Sequence, residues 1–280
     1  MSCRLDSCKL AYAAVDWLSC TSTTPDASHS LWNLALRLQP QRLPESEQPT
    51  RWHAHGYDGW SLTGLAVGAR VDGVLLRLSG EQSANNWREA VSTADNVTRL
   101  DLAVDFESEN PVTGVALDVY RQTSHRRSRT GRPATRSVHI SSDGGQTAYV
   151  GSRASEQMGR VYDKGVEQRT HAPGLKWRFE LELKKESALA AAKALVAAVD
   201  DRAELITTTL GWFRARGVRI PKVWPSFEVR NLKLAVPRPD RRIEWVARCV
   251  RPTVLDLTDT LGRERMLGVL GLHVPTSYSC

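Results

Sequence analysis

The segment WRFELELKKESALAAA, residues 177–192, constrains the fold more than any other stretch of the chain. Read as a strand, it sends Trp177, Phe179, Leu181 and Leu183 to one side and Arg178, Glu180, Glu182 and Lys184 to the other, because side chains alternate across a strand. One face is core and the other is a row of charge. The Ala- and Leu-rich run that follows has high helix propensity and predicts a helix over 186–201. The solvated face of an antiparallel sheet alternates in the same way, so this pattern by itself fixes a sheet with one apolar side and no chemistry.

Extended stretches recur upstream. They lie at 15–20 (VDWLSC), at 60–80 with Asp72-Gly73 as a hairpin turn, and at 97–107 (VTRLDLAVDFE). After Pro111, the spacing of Val112, Val115, Ala116 and Val119 suits an amphipathic helix. Strands then follow at 137–141, 146–152 after a Gly144-Gly145 turn, 159–167 and 177–185. Residues 21–59 read as a short helix near Leu31 to Leu38 and a Pro-rich loop. Each half thus gives several antiparallel strands, a long alternating strand and a helix. The fold class expected is α+β, with antiparallel sheets, helices packed on one face and two similar halves. The boundaries are a domain over 1–215, with halves at about 1–120 and 137–205, and a C-terminal helical extension over 216–280 with one or two helices from Asp240 onward.

Charge narrows the partners. The 280 residues hold 38 Lys plus Arg against 31 Asp plus Glu, a formal net charge of +7 with a pI near 9.3, which favours a polyanion. Nine Trp supply aromatic faces of the kind on which single-stranded bases stack. Five cysteines with no C-x-x-C pair indicate neither a disulfide framework nor a zinc site, and suit a reducing cytoplasm. No apolar run reaches the roughly 18 to 20 residues that a membrane span needs, and the N-terminus is too charged for a signal sequence. His53 and His55 read as exposed and not as metal ligands, having no acidic or Cys neighbour in the nearby sequence.

The polar faces form a constellation if the strands share a sheet. They contribute carboxylates (Asp101, Asp105, Glu180, Glu182), cations (Arg99, Arg160, Lys164, Arg178, Lys184), His139, Tyr149 and Tyr162. Hard carboxylate oxygens hold Mg²⁺ or Mn²⁺, Lys and Arg offset charge on a phosphodiester in transition, and a Tyr hydroxyl can attack phosphorus. A salt-bridged outer surface would use the same residues. Between Asp118 and Asp143 there is no acidic residue, and RQTSHRRSRTGRPATR (121–136) holds six Arg, among them Arg126, Arg127, Arg129 and Arg132. That run is either a solvated loop or one that tracks phosphates.

RLDLAVD, YVGSRASEQMGRVYDKGVE and WRFELELKK, in that order and followed by an Ala-rich helix, resemble the replication initiation factor family of rolling-circle plasmids, filamentous phages and some integrative elements. VDWLSC and PTVLDLTDTLGRERMLGVLG are similar to its phage and proteobacterial branch. The resemblance implies a sequence-specific DNA nickase and ligase that binds a double-strand origin, often as a dimer and with a host helicase, and joins a tyrosine to the 5′ phosphate. It also implies Glu180, Glu182 and Lys184 at the active site, with Asp101, Glu180 and Glu182 around Mg²⁺ or Mn²⁺. Arg126, Arg127, Arg129, Arg132, Arg153, Arg160 and Lys164 would meet DNA.

One departure matters. The family pattern puts the nucleophilic tyrosine on the helix after the RFELELK strand, and residues 186–201 contain none, Ala190 standing near the expected place. Tyr162, Tyr149 and Tyr278 are the alternatives, as is a protein that binds DNA without cutting it. Tyr162 leads, because Arg160 and Lys164 on its face would lower its phenol pKa.

Overall fold

The computed structural model describes residues 4–40, 48–124, 135–220 and 251–261. The described residues fall into two units, one within 1–234 and one within 235–280. The larger unit is built on a single ten-stranded sheet in which every neighbouring pair is antiparallel. Its elements are β1 (Lys9–Ser22), α1 (Pro25–Leu38), β2 (Thr50–Ala54), β3 (Tyr57–Leu62), β4 (Leu65–Arg70), β5 (Gly73–Ser79) and α2 (Gly80–Thr93). They are followed by β6 (Asn96–Glu107), α3 (Val115–Gln122), β7 (Arg136–Ile140), β8 (Gln146–Val150), β9 (Gln157–Asp163), the short α4 (Lys164–Gln168), β10 (Lys176–Lys184), α5 (Lys185–Ala197) and α6 (Asp201–Arg214). The described part of the C-terminal unit is one helix, α7 (Arg251–Leu261).

The strand order β2-β3-β4-β5-β1-β6-β10-β9-β8-β7 reads as one motif used twice. In each half a strand and a helix are followed by four strands and a helix. The fourth of those strands returns beside the first, and β1 and β6 meet at the centre. The repeat begins anew at β6, so Asn96–Glu107 opens the second half.

Alternation explains the layering. Leu100, Leu102, Val104 and Phe106 of β6 and Trp177, Phe179, Leu181 and Leu183 of β10 point to the side that carries the helices and are buried there. Phe179 meets Phe106 and Phe213 edge to face, with ring centres 5.6 and 5.1 Å apart. Gly159 of β9 lets α6 close on the sheet, since a Cβ there would lie 2.5 Å from the Trp212 ring.

Two helices carry no signal in the sequence reading. The helix expected over 186–201 ends at Ala197, and α6 begins after it, where the Asp200 side chain accepts the Ala203 N–H at 2.9 Å. Every residue of α6 from Leu205 to Phe213 is buried, so no one-sided stripe marks it. The mostly polar α2 buries only Ser83, Trp87 and Ala90. The hairpin between β4 and β5 turns at Val71 and Asp72, one residue earlier than expected, with Gly73 already in β5. β2 lies in the stretch read as loop, and its pairing with β3 gives His53 an acidic neighbour after all, Asp58, at 2.8 Å. Among the described residues no helix is long and apolar enough to cross a membrane.

Candidate nucleic-acid site

The face away from the helices brings the expected residues together. β6, β10, β9, β8 and β7 are consecutive, and their registers set Asp101 opposite Glu182, Asp105 opposite Arg178, Glu180 opposite Arg160, Arg160 opposite Tyr149, and Tyr149 opposite Ser137. The face is tiled rather than open. Asp101, Asp105 and Glu180 are each no more than 1 % exposed and Arg178 is 4 % exposed.

Charge is balanced locally, as burial requires. Arg99 holds Asp101 through two bonds of 2.9 and 2.6 Å and reaches Glu182 at 3.0 Å, and Lys184 also pairs with Glu182. Arg160 pairs with Glu180 at close range, and the Tyr162 hydroxyl donates to the other Glu180 oxygen at 2.9 Å. Arg178 grips Asp105 from two nitrogens and extends to Asp16 at 2.7 Å, while Lys176 lies 3.1 Å from Glu107 and 3.8 Å from Asp105. Asp16 and Lys176 are absent from the sequence reading. Asp16 arrives through an irregularity in β1 between Val15 and Trp17, which an alternating pattern does not reveal.

These contacts set the ionisation. Burial pushes the Asp101 carboxyl up to about 7, against the pull of Arg99, and Glu180 and Glu182 add to the push. Burial works against charge on Arg160, yet Glu180 holds its guanidinium more firmly protonated than usual. For Tyr162 the expected direction is reversed. Burial and then Glu180 raise the phenol, and Arg178 and Arg160 offset only part of that. Lys164 is the other correction. β9 ends at Asp163, whose side chain accepts the Val166 N–H at 3.1 Å and caps α4, so Lys164 opens a helix instead of extending the strand. It pairs with Glu167 at 2.6 Å and stands 5.6 Å from the centre of the Tyr162 ring.

Tyr149 presents a different picture. It is half-buried, stacks edge to face on His139 with centres 5.4 Å apart, and lies under the Arg153 guanidinium. Recesses open on both sides of it, one bordered by Thr147, Arg160 and Tyr162 and the other by Ser137, His139, Ser152 and Arg153. The Lys184 ammonium donates to the Arg153 carbonyl at 2.8 Å and ties that loop to β10. Arg126, Arg127, Arg129, Arg132 and Tyr278 lie outside the described residues.

Asp101, Glu180 and Glu182 supply hard oxygen donors on adjacent positions, the chemistry that Mg²⁺ or Mn²⁺ takes. Their oxygens are turned to Arg99, Arg160 and Lys184, and among the described residues no three His, Cys, Asp or Glu side chains converge as a metal site. Metal binding here would require these carboxylates to exchange partners.

Residues 95–216 match the family model described as replication initiation factor. The matched segment begins at β6 and ends just past α6, so it contains β6, β7, β8, β9 and β10 of the tiled face and leaves out β1, which supplies Asp16. In three dimensions the chain is similar to a rolling-circle replication initiator protein from Geobacillus stearothermophilus. The TM-score is 0.53 at 22% identity, covering 79% of this chain and 92% of that one. Among curated proteins no sequence match is found. Homology to replication initiation factors is thus supported over residues 95–216, and the fold likeness extends beyond them.

Proposed function

We propose that this protein is a DNA replication initiation protein of a mobile element, which binds origin DNA on the second-half sheet face and nicks one strand there. The observation that carries this reading is a coincidence of position. The segment matched to replication initiation factors is the segment whose strands assemble Asp101, Glu180, Glu182, Arg160 and Tyr149 on one face.

In this reading Arg153 and Arg160 receive the strand's phosphates, and a tyrosine oxygen attacks the scissile phosphorus. The tyrosine hydroxyl releases its proton to solvent as its oxygen bonds to phosphorus, the P–O3′ bond breaks, the tyrosine is left on the 5′ phosphate, and the departing 3′ oxygen takes up a proton from solvent to become the hydroxyl primer. Mg²⁺ or Mn²⁺ held by Asp101, Glu180 and Glu182 would supply charge neutralisation at the phosphodiester. Tyr149 is the better-placed nucleophile, being half-exposed between two recesses, whereas the Tyr162 hydroxyl is committed to Glu180 and orients that carboxylate.

A second reading, sequence-specific DNA binding without cleavage, is favoured by one observation: α5 follows the charged strand and has no tyrosine. Both are tested with single-stranded oligonucleotides tiled from the DNA flanking the gene, Mn²⁺, and wild type, Tyr149→Phe, Tyr162→Phe and Glu180→Gln, with mass spectrometry of protein adducts. Cleavage with an adduct that Tyr149→Phe abolishes supports the first reading. Specific binding with no adduct in any variant supports the second.

A further inference from the structure

The internal repeat allows the two halves to be aligned by register. Lys184 ends β10 opposite Arg99, as Ser79 ends β5 opposite Trp17. Two residues inward, Glu182 opposite Asp101 corresponds to Arg77 opposite Ser19, and two further, Glu180 opposite Ala103 corresponds to Leu75 opposite Thr21. On the next strands outward Arg160 corresponds to Gly68, Tyr149 to Gly59, and Ser137 to Trp52. The first half therefore repeats the backbone of the tiled face with its chemistry exchanged. Carboxylates give way to Ser, Arg and Leu, the large Arg160 and Tyr149 to glycine, and the small Ser137 to tryptophan.

The substitutions fit one another. Gly68 leaves room for the Trp52 indole to lie on the sheet, since a Cβ there would come within 2.9 Å of the ring. The Arg77 guanidinium stands 5.0 Å from the Trp52 ring centre, and that of Arg99 stands 4.9 Å from the Trp17 ring centre. The positions of β2, β3, β4 and β5 that point to this face hold no Asp or Glu. Among the described residues Arg77 pairs with no carboxylate, and it shares Ser19 as a cross-strand neighbour with the like-charged Arg99. A half-buried cation with an aromatic partner and no counter-ion is an anion site, and flat indoles beside it suit unpaired bases.

We propose that this first-half face is a second, non-cleaving site for single-stranded DNA, with bases stacked on Trp52 and Trp17 and a backbone phosphate on Arg77. It rests on the reading of the second half as a DNA site and extends the strand's path across β1 and β6. A double helix keeps its bases stacked inside and leaves the indoles without partners, so the single strand is the occupant this chemistry selects.

The test measures binding of (dT)₃₀ and of a duplex of equal length by anisotropy over a salt series, using full-length wild type, Arg77→Gln, Trp52→Leu and Trp52→Phe. Circular dichroism and melting curves verify that each variant folds. The expected result is a loss of roughly tenfold in (dT)₃₀ affinity for Arg77→Gln and Trp52→Leu, with recovery in Trp52→Phe. Arg77→Gln should also make the salt slope shallower by about one contact. Wild-type affinity and slope in both variants would overturn the proposal and leave the second-half reading standing. A loss confined to the duplex would also overturn it. Failure of the wild type to bind any DNA would overturn both readings.

Discussion

Arg178 is the residue on which most buried charge depends. Its side chain is 5% exposed, its guanidinium spans Asp105 and Asp16, and it offsets the charge of an Asp105 side chain that is 1% exposed. Arg178→Ala should therefore cost about 3–5 kcal/mol, because it leaves Asp105 buried with only the more distant Lys176, 3.8 Å away, to offset its charge, and urea unfolding would measure it. Tyr162 yields a pH prediction. Its phenol is raised by burial first and by Glu180 second, so the folded chain keeps a proton that the unfolded chain releases above about 10. The stability linked to this proton is complete below that pH and is lost as pH rises through it. Comparing wild type with Tyr162→Phe by urea midpoints between about pH 8 and 11 should show the variant declining less. The sequence placed Tyr162 on the correct face and gave its pKa the wrong direction, because alternation reports which way a side chain points and not how deeply its neighbours cover it.

Among the elements, β9 and α6 depend on an absent side chain. Gly159 faces Trp212 and Phe213 at distances that a Cβ cannot occupy. Gly159→Ala should lower stability by about 1–3 kcal/mol through overpacking. Melting temperatures of the glycine variant and of wild type would decide it. Elements with one dry and one charged face were legible in the sequence, as β6 and β10 show. α6 was not, since a helix buried all round has no periodic contrast, and neither was the kink that delivers Asp16. Lys164 was misplaced for a third reason: the Asp163 cap, a local hydrogen bond, ends the strand before its pattern does.

At the scale of the molecule, the net charge of +7 and the argininyl face predict DNA binding dominated by released counter-ions. The logarithm of affinity should fall linearly with the logarithm of salt, with a slope near −0.7 per phosphate contacted for a single strand. Arg153→Ala should make that slope shallower by about 0.7, the share of one contact, and a slope unchanged from wild type would remove Arg153 from the contact surface. The repeat was partly visible as two runs of strands, but its boundary was not, because only pairing reveals that β6 belongs with the strands that follow it. The seam between β1 and β6 has a kinetic meaning as well. Lys9 waits for Glu107, so β1 can join β5 well before its other partner has been synthesised. During that interval a strand of 14 residues presents one unsatisfied edge, and nascent chains on neighbouring ribosomes carry the same edge. Production of this protein should accordingly be limited by crowding during translation, and slowing initiation at low temperature should raise the soluble fraction.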